Sequence, residues 1–297
     1  MMILRVDMTN QKISKEELPD QYRGLGGRAL SAAIISSEVP SDCDPLGTEN
    51  RLIFAPGYLT GTTLVNTGRL SIGAKSPLTG GIKESNVGGT MAYALARHGI
   101  RAVIVEGAAP VAAAFLLRVP ADASVALVPA AEYKGMRNYA LAEKLLAEFG
   151  SKNSISLIGP AGEMCLSSAS IQTTDTKGHP SRSAGRGGLG AVMGAKGLKA
   201  LVVSKEGKST REVADQAAFK EMAKPFAAAI KNDGWSGRVL PEFGTASIVA
   251  NTNAQGALPT LNATRGSFDG ADKISGETMA QTIRSRAGGG EDHLQGL

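Results

Sequence analysis

The sequence predicts an α+β fold with a strand-rich N-terminal domain followed by an incomplete, mainly helical segment. Strand-like apolar runs outnumber helical ones and arrive in hairpin-like pairs, which disfavours a strict βαβ repeat. Beyond the run KALVVS, the pattern changes to helical periods. We therefore expect one domain over residues 1–207 and the start of another over residues 208–297.

The strands are expected first as a hairpin and then as short runs between helices. Two strand-like runs flank Asn10, which suits a tight turn. The later runs are bounded by glycine and proline and read, in order, RLIFAPG, RLSIGAKSP, AVIVE, AAFLLRV, SVALVP, SISLIGPAGE, SSASIQTT and KALVVS. Lys83 and Asn86 follow the second of these and are expected to flank a turn, where asparagine tolerates a left-handed backbone.

Three helices are expected within the N-terminal domain. The first runs from about Arg28 to Glu38, is rich in small residues and stops before Pro40. The other two lie in GGTMAYALARHG and NYALAEKLLAEFG. They end at Gly99 and Gly150, where glycine is the usual residue after a helix C-terminus.

The C-terminal segment is expected to be helical and to end loosely. Asp215 to Lys231, Gly244 to Asn253 and Gly276 to Arg286 are typical of helices or helix starts. The closing run RSRAGGGEDHLQGL is expected to be unstructured. So loose an ending is more easily explained as the start of a domain that continues elsewhere.

Composition excludes several classes of function. Basic residues exceed acidic ones by five, but aromatic residues make up only 4% and are not interleaved with basic runs, so no nucleic acid partner is expected. No stretch approaches about 18 consecutive apolar residues and the start lacks signal-peptide features, which indicates a cytoplasmic protein with no membrane partner. Cys43 and Cys165 lie far apart without a CxxC pattern and are expected to be free thiols.

Four glycine-rich segments share one kind of chemistry. They are Leu25–Arg28, Thr67–Arg69, Ser85–Gly89 and Arg182–Gly190. Each combines glycines with a guanidinium, hydroxyl or carboxamide, a pairing that suits phosphate and pyrophosphate. Tight turns would explain any one of them. Four together, three with an arginine, favour a polyanion-binding cradle whose glycines lie against a ligand.

The run GRGGLG beginning at Gly185 matches the spacing of a dinucleotide-binding loop, but its context does not fit. Such a loop requires a strand immediately before it and an acidic residue about 20 positions later on a second strand. Here the polar, turn-like run DTKGHPSRSA precedes it. A nicotinamide cofactor is therefore not expected, and neither a Walker A lysine nor a Ser-His-Asp or Cys-His constellation is present to assign catalytic residues.

Several runs together resemble a known family. LIFAPGYLTGTTLVNTGRLSIGAKSPLTGGIKESNVGG, GIRAVIVEG, SLIGPAGE and AGRGGLGAVMGAKGLKALVV follow one another in the chain. In this order they resemble the N-terminal domain of the aldehyde ferredoxin oxidoreductase family, the tungsten or molybdenum bis-pterin enzymes. The match runs to about Ser204 and continues more faintly to Glu277. It implies a base of two sheets with short helices, on which a metal held by two pterin dithiolenes rests.

The resemblance also implies ligand positions. Arg69 in NTGRLSI matches an arginine that binds a pterin phosphate. Asn86 and Ser183 match positions whose backbone carbonyls hold a magnesium ion between the two phosphates. Further cofactor-binding neighbours are expected at Gly88, Arg182, Gly185, Arg186 and Gly187.

The function implied by the resemblance belongs to a longer enzyme. Family members carry a Cys-x-x-Cys-x-x-x-Cys run for a [4Fe-4S] cluster, which is expected just past SGE, where this chain reads RAGGGEDHLQGL. We therefore expect the N-terminal part of an enzyme that oxidises aldehydes to carboxylates and passes electrons to ferredoxin or another iron-sulfur carrier. The chain alone is expected to be inactive.

Two alternatives stay open at the level of the sequence. One is a non-catalytic pterin-binding or assembly subunit of a split oxidoreductase. The other is a relative that reduces aromatic acyl thioesters. A homodimer or a separate C-terminal subunit would be the protein partner.

Overall fold

The computed structural model describes residues 1–207 and 211–286. Contacts between Cα atoms divide the chain into two compact units, Met1–Ala214 and Asp215–Leu297. The expectation of an unstructured ending lies, from residue 287 onward, outside the described residues.

The first half of the N-terminal unit forms a six-stranded sheet. Its strands and helices are β1 (Met2–Asp7), β2 (Lys12–Glu17), α1 (Gly27–Glu38), β3 (Leu52–Pro56), β4 (Leu70–Lys75), β5 (Ile82–Val87), α2 (Met91–Arg97) and β6 (Ile100–Glu106). The strand order is β2-β1-β6-β3-β4-β5. Only β1 and β6 are parallel neighbours, so hairpins dominate the sheet.

The second half repeats the plan with another six-stranded sheet. Its strands and helices are β7 (Phe115–Val119), β8 (Ala126–Pro129), α3 (Asn138–Phe149), β9 (Asn153–Leu157), α4 (Pro160–Glu163), β10 (Ile171–Thr173), β11 (Arg182–Ala184), α5 (Leu189–Ala195) and β12 (Leu198–Ser204). The order is β11-β10-β9-β12-β7-β8, with β7 and β12 parallel. The α+β class and the two sheets with short helices are confirmed.

The apolar core explains why these sequences form these strands. One cluster joins residues of both sheets, such as Phe54 and Leu201, to residues of α2 and α5, such as Leu95 and Val192. The outer face of the first sheet packs under α1, and that of the second under α3. Because β6 and β12 are covered on both faces, they are almost continuously apolar rather than alternating.

The C-terminal unit is helical. It contains α6 (Gln216–Asn232), a π-helical turn (Trp235–Val239), α7 (Leu240–Phe243), α8 (Val249–Ala254) and α9 (Gly276–Arg286). Asp215 caps α6, because its side chain accepts a hydrogen bond from the backbone N–H of Ala218 at 2.9 Å. The three helical stretches expected here are present, although the middle one begins as a 3₁₀ turn, Gly244–Ile248.

The expected turn at Lys83 and Asn86 is wrong. Both residues lie within β5, and Asn86 pairs with Ser71 of β4 in regular antiparallel register. β5 is the edge strand of its sheet and has only two apolar residues, the exposed Ile82 and the buried Val87, so the apolar alternation that identifies a strand is missing. This change matters because it places the polar run KESN on a rigid element.

Candidate functional site

A cavity of about 520 Å³ opens where the edge strand β5 of the first sheet meets the segment that follows β11 of the second sheet. Its charged lining residues are Arg28, Lys83, Glu84 and Arg186. Its uncharged lining residues are Ser85, Asn86, Ser183 and Gly185. We call this the cradle cavity. It brings together Asn86, Ser183, Gly185 and Arg186, all of which the sequence singled out.

Two hydrogen bonds hold the 185–187 segment against the first sheet. The backbone N–H of Arg186 donates to Ser85 Oγ at 3.3 Å, and Ser76 Oγ donates to the carbonyl of Gly187 at 2.8 Å. Ser76 and Ser85 are buried. These bonds fix the backbone on which Arg186 is carried, so its side chain starts from a defined position at the cavity wall.

Arg69 reaches the cradle cavity through Asn86. Its guanidinium Nε donates to Asn86 Oδ1, and its Nη2 lies 3.4 Å from the Asn86 carbonyl oxygen. A side chain at Gly88 would crowd this guanidinium, because a Cβ built there lies 3.2 Å from Arg69 Nη1. The absence of a side chain at Gly88 therefore leaves room for the arginine.

Two of the predicted positions, Arg182 and Ser183, lie on β11. Ser183 Oγ accepts a hydrogen bond from Gln172 Nε2 at 3.0 Å, and the Ser183 residue is exposed to the cavity. Arg182 pairs with Thr173 across the β10–β11 ladder and is half-buried. The short strand thus presents two successive predicted residues on opposite faces.

For three glycines of the 183–190 run, contacts within the protein already explain why a side chain is absent. A Cβ at Gly187 would lie 2.3 Å from Lys83 Cγ, one at Gly188 would lie 2.0 Å from the Ser167 carbonyl oxygen, and one at Gly190 would lie 2.6 Å from the Ser170 carbonyl oxygen. Their close neighbours are other parts of this chain. Gly185 differs, since only Ser183 comes near its built Cβ, with Oγ at 3.3 Å.

Sequence reasoning did not identify Glu84 as a site residue. Its carboxylate Oε2 accepts a hydrogen bond from Arg28 Nε at 3.2 Å. The Glu84 side chain is only 9% exposed, and its Oε1 is buried without a hydrogen-bond partner. The signal was available once β5 was recognised, because Glu84 and Asn86 are two apart and so share one face of a strand.

Neither thiol marks a metal site. Burial raises the pKa of both Cys43 and Cys165, so neither is an activated thiolate. Within residues 1–207 and 211–286, no three His, Cys, Asp or Glu side chains are arranged to hold a metal ion. In the same residues, no helix has the length and hydropathy needed to cross a bilayer.

Comparison with known families gives two adjoining matches. Residues 3–205 match the family model of the aldehyde ferredoxin oxidoreductase N-terminal domain. Residues 221–290 match the model of domains 2 and 3 of aldehyde ferredoxin oxidoreductase. The cradle cavity lies wholly within the first match.

Individual relatives agree with these matches. The tungsten-containing aldehyde ferredoxin oxidoreductase of Pyrococcus abyssi is 38% identical over 281 residues, which are 94% of this chain and 45% of that protein. The WOR-like subunit of the aliphatic sulfonate oxidoreductase of Pyrococcus furiosus is 30% identical over 75% of this chain and 37% of that protein. The chain therefore spans less than half the length of these relatives.

A solved structure has the same fold. The active site complex BamBC of benzoyl coenzyme A reductase, in complex with 1,5-dienoyl-CoA, matches with a TM-score of 0.71 and 33% sequence identity. The match covers 77% of this chain and 34% of that chain. The shared part is thus a large portion of this chain but a minor portion of the reductase subunit.

Proposed function

Because the chain belongs to the aldehyde ferredoxin oxidoreductase family, we propose that residues 1–207 form the cofactor-binding base of a tungsten or molybdenum bis-pterin oxidoreductase. Residues 208–297 would be the start of its helical domain. The observation that carries the proposal is the cradle cavity, because it gathers four of the residues that the family resemblance implies as ligands.

The residues present fit a phosphorylated cofactor. The cradle cavity is lined by three basic side chains and one carboxylate, so its net charge attracts an anion. Guanidinium groups bind phosphate with directed hydrogen bonds, and Arg28 and Arg186 both line the cavity. Glu84 Oε1 is buried without a hydrogen-bond partner, so the protein does not fully satisfy this carboxylate.

Each predicted residue has a proposed role. Arg69, Arg182 and Arg186 would bind pterin phosphates. Gly88, Gly185 and Gly187 would let the backbone approach them. The roles of Gly88 and Gly187 include making room for protein side chains, Arg69 and Lys83 respectively.

The backbone carbonyls of Asn86 and Ser183 would hold magnesium between the phosphates. The Asn86 carbonyl already lies 3.4 Å from Arg69 Nη2. A carbonyl oxygen has two lone pairs, so it can accept this long hydrogen bond and still face a cation. Ser183 lines the same cavity.

The proposed reaction is the oxidation of an aldehyde to a carboxylate, with ferredoxin or another iron-sulfur carrier as the electron acceptor. A bound metal pterin would supply the oxygen-transfer and redox chemistry, and a [4Fe-4S] cluster of the longer family enzyme would carry the electrons. This chain contributes binding and orientation: its arginines hold the phosphates, and the two sheets fix those arginines on rigid strands and turns. No catalytic residue is proposed within it.

A second candidate is favoured by the solved relative. The likeness to a benzoyl coenzyme A reductase complex supports a relative that reduces aromatic acyl thioesters on the same base. The pterin-binding or assembly subunit expected from the sequence, with a separate C-terminal subunit or a second copy as its partner, would use the same base. All these candidates share the pterin-binding role of the cradle cavity.

The test is cofactor content of the 297-residue chain purified from a host supplied with tungstate and molybdate. We expect tungsten or molybdenum and a fluorescent pterin oxidation product to co-purify, with two pterins for each metal. Arg186→Ala should lower both severalfold, whereas Arg23→Ala, at an exposed arginine with an Asp20 partner, should not. Absence of both metal and pterin from the unmodified chain would overturn the proposal.

A further inference from the structure

Glu84 differs from Glu38 and Glu163 in having a buried carboxylate oxygen without a hydrogen-bond partner. Both oxygens of Glu38 accept hydrogen bonds from arginine, and both oxygens of Glu163 accept them from Gly135 or Lys199. Glu84 Oε1 has no such partner. In the part of the chain that the structure describes, it is the one buried carboxylate oxygen in that state. Such groups are rare in folded proteins because desolvation without a partner is unfavourable.

The position of Glu84 indicates what kind of partner is needed. The carboxylate is nine-tenths buried and lines the cradle cavity beside three basic side chains. Those cations suit a phosphate, yet a phosphate placed there meets the negative Glu84 carboxylate. The two anions are compatible where a divalent cation lies between them.

Hard divalent cations match this donor set. Mg²⁺ binds oxygen ligands and is usually held by one or two carboxylates together with substrate phosphates and water. Glu84 Oε2 is engaged by Arg28, so Oε1 is the oxygen left without a partner. Arg28 itself is 77% exposed, and its guanidinium has further N–H groups for a phosphate oxygen.

We propose that Glu84 is a carboxylate ligand of a Mg²⁺-class cation, directly or through one bound water. This cation accompanies a phosphate ester in the cradle cavity, and Arg28, oriented by Glu84, binds that phosphate. The proposal rests on the proposed function for the presence of phosphate in this cavity. It adds a charged side chain to the backbone carbonyls of Asn86 and Ser183. The cation and the phosphate then bind cooperatively. The cation reduces the repulsion between the phosphate and Glu84, and the phosphate adds negative charge that attracts the cation.

The test uses Mn²⁺ as the cation and inorganic pyrophosphate as the phosphate probe, with free Mn²⁺ measured by electron paramagnetic resonance. For the unmodified chain, saturating pyrophosphate should raise Mn²⁺ affinity. Glu84→Gln keeps the side-chain size but removes the charge, and should lower Mn²⁺ affinity about tenfold or more. The same variant should bind pyrophosphate without metal at least as tightly as the unmodified chain, because the repelling charge is gone.

Two further variants keep the test decisive. Glu17→Gln, at an exposed carboxylate on β2, should bind Mn²⁺ like the unmodified chain. Arg28→Gln should weaken pyrophosphate binding severalfold while Mn²⁺ binding still depends on Glu84. Thermal unfolding of each variant identifies any that fails to fold, and Glu84→Asp, which keeps the charge, should then retain part of the Mn²⁺ affinity.

The outcomes separate this inference from the proposed function. Mn²⁺ affinity of Glu84→Gln within twofold of the unmodified chain, or no Mn²⁺ binding by the unmodified chain with pyrophosphate present, overturns the inference. Failure of the proposed function appears elsewhere, as missing metal and pterin after purification and as pyrophosphate binding that ignores Arg69→Ala and Arg186→Ala. If the proposed function fails in this way, a Mn²⁺ site that depends on Glu84 still supports the inference.

Discussion

Two charged regions of the first sheet have opposite degrees of pairing. One is the arginine–glutamate network, formed by Arg5, Arg51, Glu16, Glu38 and Glu106. It borders a cavity of about 420 Å³, close in size to the cradle cavity of about 520 Å³. In the network each arginine contacts at least two carboxylates, whereas in the cradle cavity Glu84 contacts one arginine and keeps an oxygen without a partner.

The difference separates charges that pair with one another from charges that we propose to pair with a ligand. Cavity size alone would not show which of the two regions is the better candidate for a ligand site. In the network, hydrogen bonds and charge from the Glu38, Glu16 and Glu106 carboxylates raise the pKa of Arg5 far above its ordinary value, although burial opposes this. Its arginines are paired within the fold, whereas Glu84 in the cradle cavity keeps a buried oxygen without a partner.

The largest expected effect comes from removing the centre of the network. Arg5→Met leaves Glu38 and Glu106 with Arg51 alone and removes the ion pair of Glu16, so the free energy of unfolding should fall by about 4 kcal/mol. Glu84→Gln removes one weakly paired carboxylate and should cost less than about 1 kcal/mol. Urea unfolding of the two variants measures the contrast. Equal losses would mean that pairing does not distinguish the two regions.

A smaller effect is expected from the glycines beside the cradle cavity. Gly188 has a φ of 68°, and an added Cβ would lie 2.0 Å from the Ser167 carbonyl oxygen, so Gly188→Ala should lose about 3 kcal/mol of stability. Gly185 faces the cavity, and its alanine variant should unfold within about 0.5 kcal/mol of the unmodified chain.

The matched pair therefore separates a structural glycine from a cavity glycine. Gly185→Ala should lower pyrophosphate affinity while leaving the unfolding midpoint in place, because its methyl group occupies space in the cavity. If Gly185→Ala were instead as unstable as Gly188→Ala, the segment would be closed by protein along its whole length. Circular dichroism melts with and without pyrophosphate distinguish the two results.

The sequence predicted those elements whose pattern comes from burial. The runs that form β6 and β12 are apolar because both of their faces are covered, and such runs can be recognised from the sequence alone. Helix α5 was not predicted. Its seven residues, LGAVMGA, include two glycines, which disfavour helix locally, and a Cβ at Gly194 would lie 1.8 Å from the Gly162 carbonyl oxygen. Close packing of α5 on α4 therefore determines the helix.

The candidate site was predictable to the extent that glycine and arginine motifs mark it. Asn86, Ser183, Gly185 and Arg186 were singled out from such motifs, and the structure brings them to one cavity. Glu84 was missed because no motif marks it. The position of Glu84 in the cavity depends on the register of β5. The sequence analysis expected a turn at Lys83 and Asn86 and therefore did not predict this strand. The ligands assigned to these residues stay predictions.

The smallest expected effect concerns pH and the network. Burial raises the pKa of the Glu38 carboxyl, but hydrogen bonds and charge from Arg5 and Arg51 outweigh it, so the net pKa is lowered. Stability from Glu38 is therefore full above its unfolded pKa, about 4.3, and is lost as pH falls through the lower folded value. Glu38→Gln should cost only about 1 kcal/mol at pH 7, because two arginines and two carboxylates remain in balance.

The two unfolding curves should then converge below about pH 4, where the unmodified Glu38 also loses its charge. Urea midpoints of both proteins between about pH 3 and 7 measure this convergence. A gap that stayed constant across the range would mean that the carboxylate acts through packing rather than charge. Glu17→Gln provides the baseline, since that side chain is exposed on β2 and should leave the pH dependence of the unmodified chain in place. Convergence for Glu38 alone would establish that the network, unlike the cradle cavity, uses its charges to hold the sheet together.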